Sequence, residues 1–185
     1  MRPILTVLVF ALATTLVARP AAAASLADYF GSYVGVAEVR DAADRVVERR
    51  DMDIVIRPYR RRGFTVRWVN VTLVDGRRDV PGVERRVAEV TFDPQGSAGL
   101  FVEVPTVNPF VEREEMAPLA GDPLRWAKLD DGGIHVFSFV VLPNGRYELQ
   151  TYTRRLTDVG LDLVFERVVD GDTLRRIDGR TVRAD

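Results

Sequence analysis

The sequence has no cysteine, one histidine (His135) and one lysine (Lys128) in 185 residues. Each shortage removes a class of chemistry. Without cysteine there is no disulfide, no thiolate metal site, no cysteine nucleophile and no lipid-anchoring N-terminal cysteine. A single histidine excludes the multi-histidine metal sites, and any Ser-His-Asp triad must run through His135. A single lysine leaves Schiff-base chemistry one residue to work with. An excess of charge of one sign is also missing. The 26 basic and 27 acidic residues give a net charge of −1, without the basic surplus of a dedicated nucleic-acid binder.

Only one long apolar run occurs, at the N-terminus. Arg2 supplies a positive start, Ile4 to Val17 is apolar apart from its threonines, and Ala21 to Ala24 are the small residues a signal peptidase needs. The run is shorter than the ~20 residues of a spanning helix, and Arg19-Pro20 closes it. Residues 1–24 therefore read as a signal peptide and 25–185 as the exported domain. Losing Arg2 and Arg19 leaves 24 basic against 27 acidic residues, a net charge of −3 on 161 residues. The expected location is periplasmic or secreted, with no integral membrane segment in the mature chain. Abundant arginine without cysteine points to a bacterial origin. About 160 residues suffice for one self-supporting core.

What is present is alternation. Ten short runs with period-two hydrophobicity are separated by turn residues. They are Tyr33–Val39, Arg50–Arg57, Phe64–Val74, Glu84–Phe92, Gly99–Val104, Leu124–Leu129, Ile134–Leu142, Arg146–Leu156, Leu161–Val168 and Thr173–Val182. Asp75-Gly76, Asp93-Pro94-Gln95-Gly96, Asp130 to Gly133, Asn144-Gly145 and Asp170-Gly171 mark turns between them. Within Phe64–Val74 the apolar parity switches, from Phe64, Val66 and Trp68 to Val69, Val71 and Leu73. That predicts either a β-bulge or a strand covered on both faces. Residues 105–123, with four prolines and an acidic cluster, form the longest excursion. Sequential antiparallel strands joined by short turns avoid exposed edges most directly by closing. The fold class expected is all-β, an up-and-down antiparallel barrel of about ten strands, with a two-sheet sandwich as competitor.

Asp28-Tyr29-Phe30-Gly31-Ser32-Tyr33 resembles the opening of calycin and lipocalin barrels, a short helical turn followed by a Phe-x-Gly-x-Trp lead-in, with Tyr33 at the Trp position. The strand count is closer to that of the fatty-acid-binding and nitrobindin-like members. The resemblance implies a closed barrel able to hold a small apolar ligand. Seven residues are candidates for lining it: Trp68, Trp126, His135, Phe137, Phe139, Tyr152 and Arg154.

Each candidate has a plainer alternative. Trp68 and Trp126 also suit core or rim packing. No cofactor is expected. Haem is the one cofactor the resemblance brings forward, because nitrobindin-like barrels bind it through a histidine. However, the same-parity neighbours Phe137, Phe139 and Val141 favour a hydrogen-bonded strand histidine at His135. Tyr152 and Arg154 project from one strand face, and the pair resembles the carboxylate clamp of fatty-acid-binding proteins. Glu148 and Gln150 share that parity, which favours a solvated outer face. Asn70-Val71-Thr72 fits a glycosylation sequon, relevant only in a eukaryotic secretory route.

Nothing in the chain resembles a metal cage, a nucleotide loop or an activated nucleophile, so an enzyme is the weakest expectation. The leading one is an exported barrel binding a small hydrophobic molecule. The alternative is a packed envelope interaction module that meets a protein partner through residues 105–123.

Overall fold

Ten alternating segments become ten antiparallel strands because alternation gives each strand two distinct faces, and closure turns one face of every strand toward the interior. The computed structural model describes residues 24–105 and 116–184. The expected signal peptide, apart from Ala24, and part of the 105–123 excursion lie outside the described residues. The strands are β1 (Gly31–Arg40), β2 (Val46–Tyr59), β3 (Gly63–Thr72), β4 (Arg85–Pro94) and β5 (Leu100–Glu103). They continue as β6 (Leu124–Asp130), β7 (Gly133–Val141), β8 (Tyr147–Leu156), β9 (Gly160–Val169) and β10 (Asp172–Ala184). Each pairs with its sequence neighbour, and β1 pairs with β10 to close the barrel.

The parity switch in β3 is not a bulge. Its register against β2 and β4 runs without interruption. Val69 and Val71 point outward and are nonetheless buried. The β3–β4 connection passes over that face, where Arg78 reaches Asp51 of β2 at 3.4 Å. The strand is covered on both sides. Register shifts occur instead at Val39/Arg40 and at Thr173/Arg175.

One end of the barrel is packed. Phe64 stacks on Phe92 with centroids 5.1 Å apart and meets Phe101 edge-on at 5.2 Å. A 3-10 turn, Leu26–Tyr29, seals this end and inserts the buried Tyr29. Ser25 starts the turn, its backbone N–H and hydroxyl both donating to Asp28 Oδ2 (2.7 and 2.9 Å). Tyr33 donates its hydroxyl to the Tyr29 carbonyl at 2.8 Å. Arg183 of the last strand ties the plug down, donating to the carbonyls of Phe30 (2.6 Å) and Asp28 (2.8 Å).

The β1–β10 seam depends on close backbone approach. A Cβ on Gly35 would stand 2.0 Å from the Arg180 carbonyl oxygen and 2.6 Å from Thr181 Cα, neither of which is a flexible side-chain end. Thr181 is buried beside it and both accepts from the Leu161 N–H (3.2 Å) and donates to the Leu161 carbonyl (3.1 Å). Gly35→Ala is therefore expected to destabilise the fold by about 1–3 kcal/mol, the usual cost of forcing extra volume into a packed site. Urea denaturation measures this, and an unchanged midpoint would show that the seam tolerates separation.

Candidate functional site

Inward-facing residues change character along the barrel. Toward the plug they are aromatic and aliphatic. Beyond Trp68 and Tyr152 the interior opens into a cavity of about 700 Å³. The strand registers place its walls: Met52 and Ile54 on β2, Trp68 and Asn70 on β3, Ala88 on β4, Gln150, Tyr152 and Arg154 on β8, Leu163 and Phe165 on β9. Aromatic rings form a collar. Trp68 and Tyr152 meet across the interior with centroids 5.5 Å apart, and Tyr152 and Phe165 at 4.7 Å.

Above the collar, toward the mouth, the walls are charged and mostly paired. Arg167 grips Glu148 (2.6 and 2.9 Å), and Glu148 accepts from Gln150. Gln150 in turn accepts the Tyr152 hydroxyl at 2.8 Å. Arg50 pairs with Glu48, which also accepts from Thr72 at 3.2 Å. These hydrogen bonds, the arginine's foremost, hold Glu148 and Glu48 below the usual carboxylate range.

Arg154 is the exception. It lies beneath the collar, 3% exposed, and among the described residues it forms no ion pair. Its Nε and Nη1 are buried without a hydrogen-bond partner. Its guanidinium rests on ring faces instead, 5.6 Å from the Trp68 centroid and 5.9 Å from that of Tyr152. Burial pulls its pKa down to about 10, against the weaker opposing pull of Tyr152. The Tyr152 phenol moves the other way, raised by its own burial. A second orphan, Asn70 Oδ1, is buried higher on the wall. Because the Asn70 side chain faces inward, the sequon is not displayed to the outside.

The seven sequence candidates divide into two groups. Trp68, Tyr152 and Arg154 meet in the cavity, which corrects the expected solvated outer face for Tyr152 and Arg154. The polar parity of β8 is the inner one, because the cavity mouth itself is polar. Nor do the two residues act as a fork: the Tyr152 hydroxyl is engaged by Gln150, and only its ring meets Arg154. Trp126, His135, Phe137 and Phe139 face outward. The β6–β7 register pairs Trp126 with Phe137 on the outer wall, where their rings stack at 5.0 Å, and Phe139 stacks on Tyr147 at 5.9 Å.

His135 offers no ligand to a group inside the barrel. It is a hydrogen-bonded strand histidine, with Nδ1 3.1 Å from Thr153 Oγ1 and Nε2 3.1 Å from Asp130 Oδ1. Asp130 is lowered to about 2, chiefly by Lys128 and the Gly132 N–H, with His135 contributing less. Thr153, His135 and Asp130 follow the order of a nucleophilic triad, but Thr153 sits mid-strand between β7 and β9. The backbone N–H groups around it belong to the ladders, so none of them is free to serve as an oxyanion donor. Sequence reasoning missed Asn70 and the Glu148–Arg167 pair as wall residues. Their inward parity with Trp68 and Tyr152 was the available signal.

No family model matches the chain, and no curated protein matches it.

A buried cation without an ion pair is costly to the fold, so Arg154→Met, similar in length and apolar, is expected to raise stability. Thermal and urea unfolding measure the change. A destabilised variant would mean that Arg154 holds the fold together rather than a ligand.

Proposed function

We propose that this chain is an exported β-barrel protein that takes up a small hydrophobic molecule inside its barrel. One observation carries the reading: a cavity of about 700 Å³, within the ~300–1,000 Å³ typical of small-molecule sites, with a collar of Trp68, Tyr152 and Phe165. A barrel that existed only as scaffold would gain stability by filling this space, since empty apolar volume and unpaired polar groups both destabilise. The calycin-like opening at Asp28–Tyr33 supports the same reading, as does the signal-like N-terminus for export.

The outer wall favours a second reading. Trp126, Phe137 and Phe139 with the exposed Tyr147 and Leu124 present apolar surface on β6–β8, next to the excursion expected to meet a protein partner. The interior reading is preferred because Arg154 and Asn70, which line the cavity, keep buried polar atoms without partners, and packing alone does not explain them.

The neutral fluorophore N-phenyl-naphthylamine tests uptake. The purified protein should bind it saturably at one molecule per chain, and Ala88→Trp, which fills the space opposite Trp68, should abolish binding. Absence of saturable binding, or equal binding by the filled variant, would overturn the reading. Export is tested separately by the mass of the chain recovered from the periplasm of an expressing bacterium. A mature N-terminus at Ser25 is expected; a full-length chain held in the membrane would contradict it.

A further inference from the structure

The walls of the cavity differ by level, and the levels describe an occupant. At the floor lies Arg154, 3% exposed, with Nε and Nη1 unpartnered. Above it comes the aromatic collar of Trp68 and Tyr152. One step higher, Asn70 presents a buried Oδ1 with no donor. Asn70 is two residues from Trp68 on the same inner face, so it stands about 7 Å further along the wall. Beyond it the mouth is polar, with Gln150, Glu148 and Arg167. The apolar zone is thus only about one ring deep, and a long alkyl chain would run out into charged surroundings.

We propose that the ligand is a compact amphipathic acid: a carboxylate seated on Arg154, a ring held in the aromatic collar, and a distal hydroxyl or N–H donating to Asn70 Oδ1. The inference rests on the cavity being a binding site and goes further by naming the chemical class and orientation of what fills it. Each orphaned group then has its complement. The guanidinium has planar donors matched to a carboxylate, and the amide oxygen lacks only a donor. Charge agrees with this. Arg50 and Arg167 are matched by Glu48 and Glu148, and Arg175, opposite Arg167 at the mouth, is exposed to water. Arg154 is buried and has no carboxylate among the described residues, so an anion is the complement the cavity lacks. The remaining volume toward the mouth accommodates polar substituents beyond the donor.

The test is a calorimetric titration of the purified protein with para-hydroxyphenylpropionate, phenylpropionate and the methyl ester of the first. The hydroxy acid should bind best. Removing the hydroxyl should cost about tenfold, and esterifying the carboxylate about 10- to 100-fold, the range for hydrogen bonds to neutral and charged partners. Arg154→Met should weaken the hydroxy acid about 10- to 100-fold while sparing the ester. Asn70→Leu should remove the preference for the hydroxyl.

Equal affinity for acid and ester would overturn the proposal, as would loss of binding in Arg175→Gln at the mouth rather than in Arg154→Met. The ligand series on the unaltered protein decides the matter even where a variant fails to fold. If N-phenyl-naphthylamine binds but none of the acids displaces it, only this inference fails. If the fluorophore itself does not bind saturably, the hydrophobic-uptake reading fails, whatever the acids do.

Discussion

The ladder between β1 and β10 is the contact on which the other features depend. Every other pairing joins strands adjacent in sequence, most of them through a turn of a few residues and only β3–β4 and β5–β6 through longer connections. The closing pair joins the first strand to the last, Ser32 opposite Ala184 through Arg40 opposite Arg176, and no disulfide assists it. Once it forms, no edge remains exposed and every strand has one face inside and one outside. The inner surface is therefore a consequence of closure. Small residues at the seam, Gly35 and Gly179 among them, let the two backbones approach.

Closure alone does not decide what the inside contains. Toward the plug, Phe64, Phe92 and Phe101 fill it in the manner of any protein core. Toward the mouth the same alternation places arginine, glutamate, glutamine and asparagine inside, where a purely structural barrel would carry aliphatic residues. Most of these polar groups satisfy one another along the wall, as in the chain from Tyr152 through Gln150 and Glu148 to Arg167. That arrangement makes the two unsatisfied groups, Arg154 and Asn70, informative: the surrounding wall shows that partners were attainable.

The fold was legible because alternation and turn chemistry are local signals. All ten strands lie where the period-two runs predict them, with β2 beginning four residues earlier, at Val46. The site was legible only in part. Alternation separates two faces without saying which is inner, and a polar face normally means water. On β8 that rule misleads, because Glu148, Gln150, Tyr152 and Arg154 face a polar cavity. On β7 it misleads in the opposite sense. His135, Phe137 and Phe139 look like an inner face, yet Ile134 and Val136 occupy the interior, while Phe137 stacks outside on Trp126 and Phe139 on Tyr147. Cross-strand register resolves both, since Ile134 pairs with Arg154 and Val136 with Tyr152. That pairing is a non-local fact that a single strand's composition does not contain.

Arg183 holds the carbonyls of Phe30 and Asp28, so the last strand ends against the residues that precede the first. In space the strands form a ring, and their cyclic order has no privileged starting point. The backbone could be joined between the end of β10 and the plug and cut instead at the exposed Asn144-Gly145 turn, with every neighbouring pair of strands preserved. The break between first and last strand is thus a property of the chain's connectivity, and the cavity, which is assembled from β2, β3, β4, β8, β9 and β10, takes its geometry from the ring.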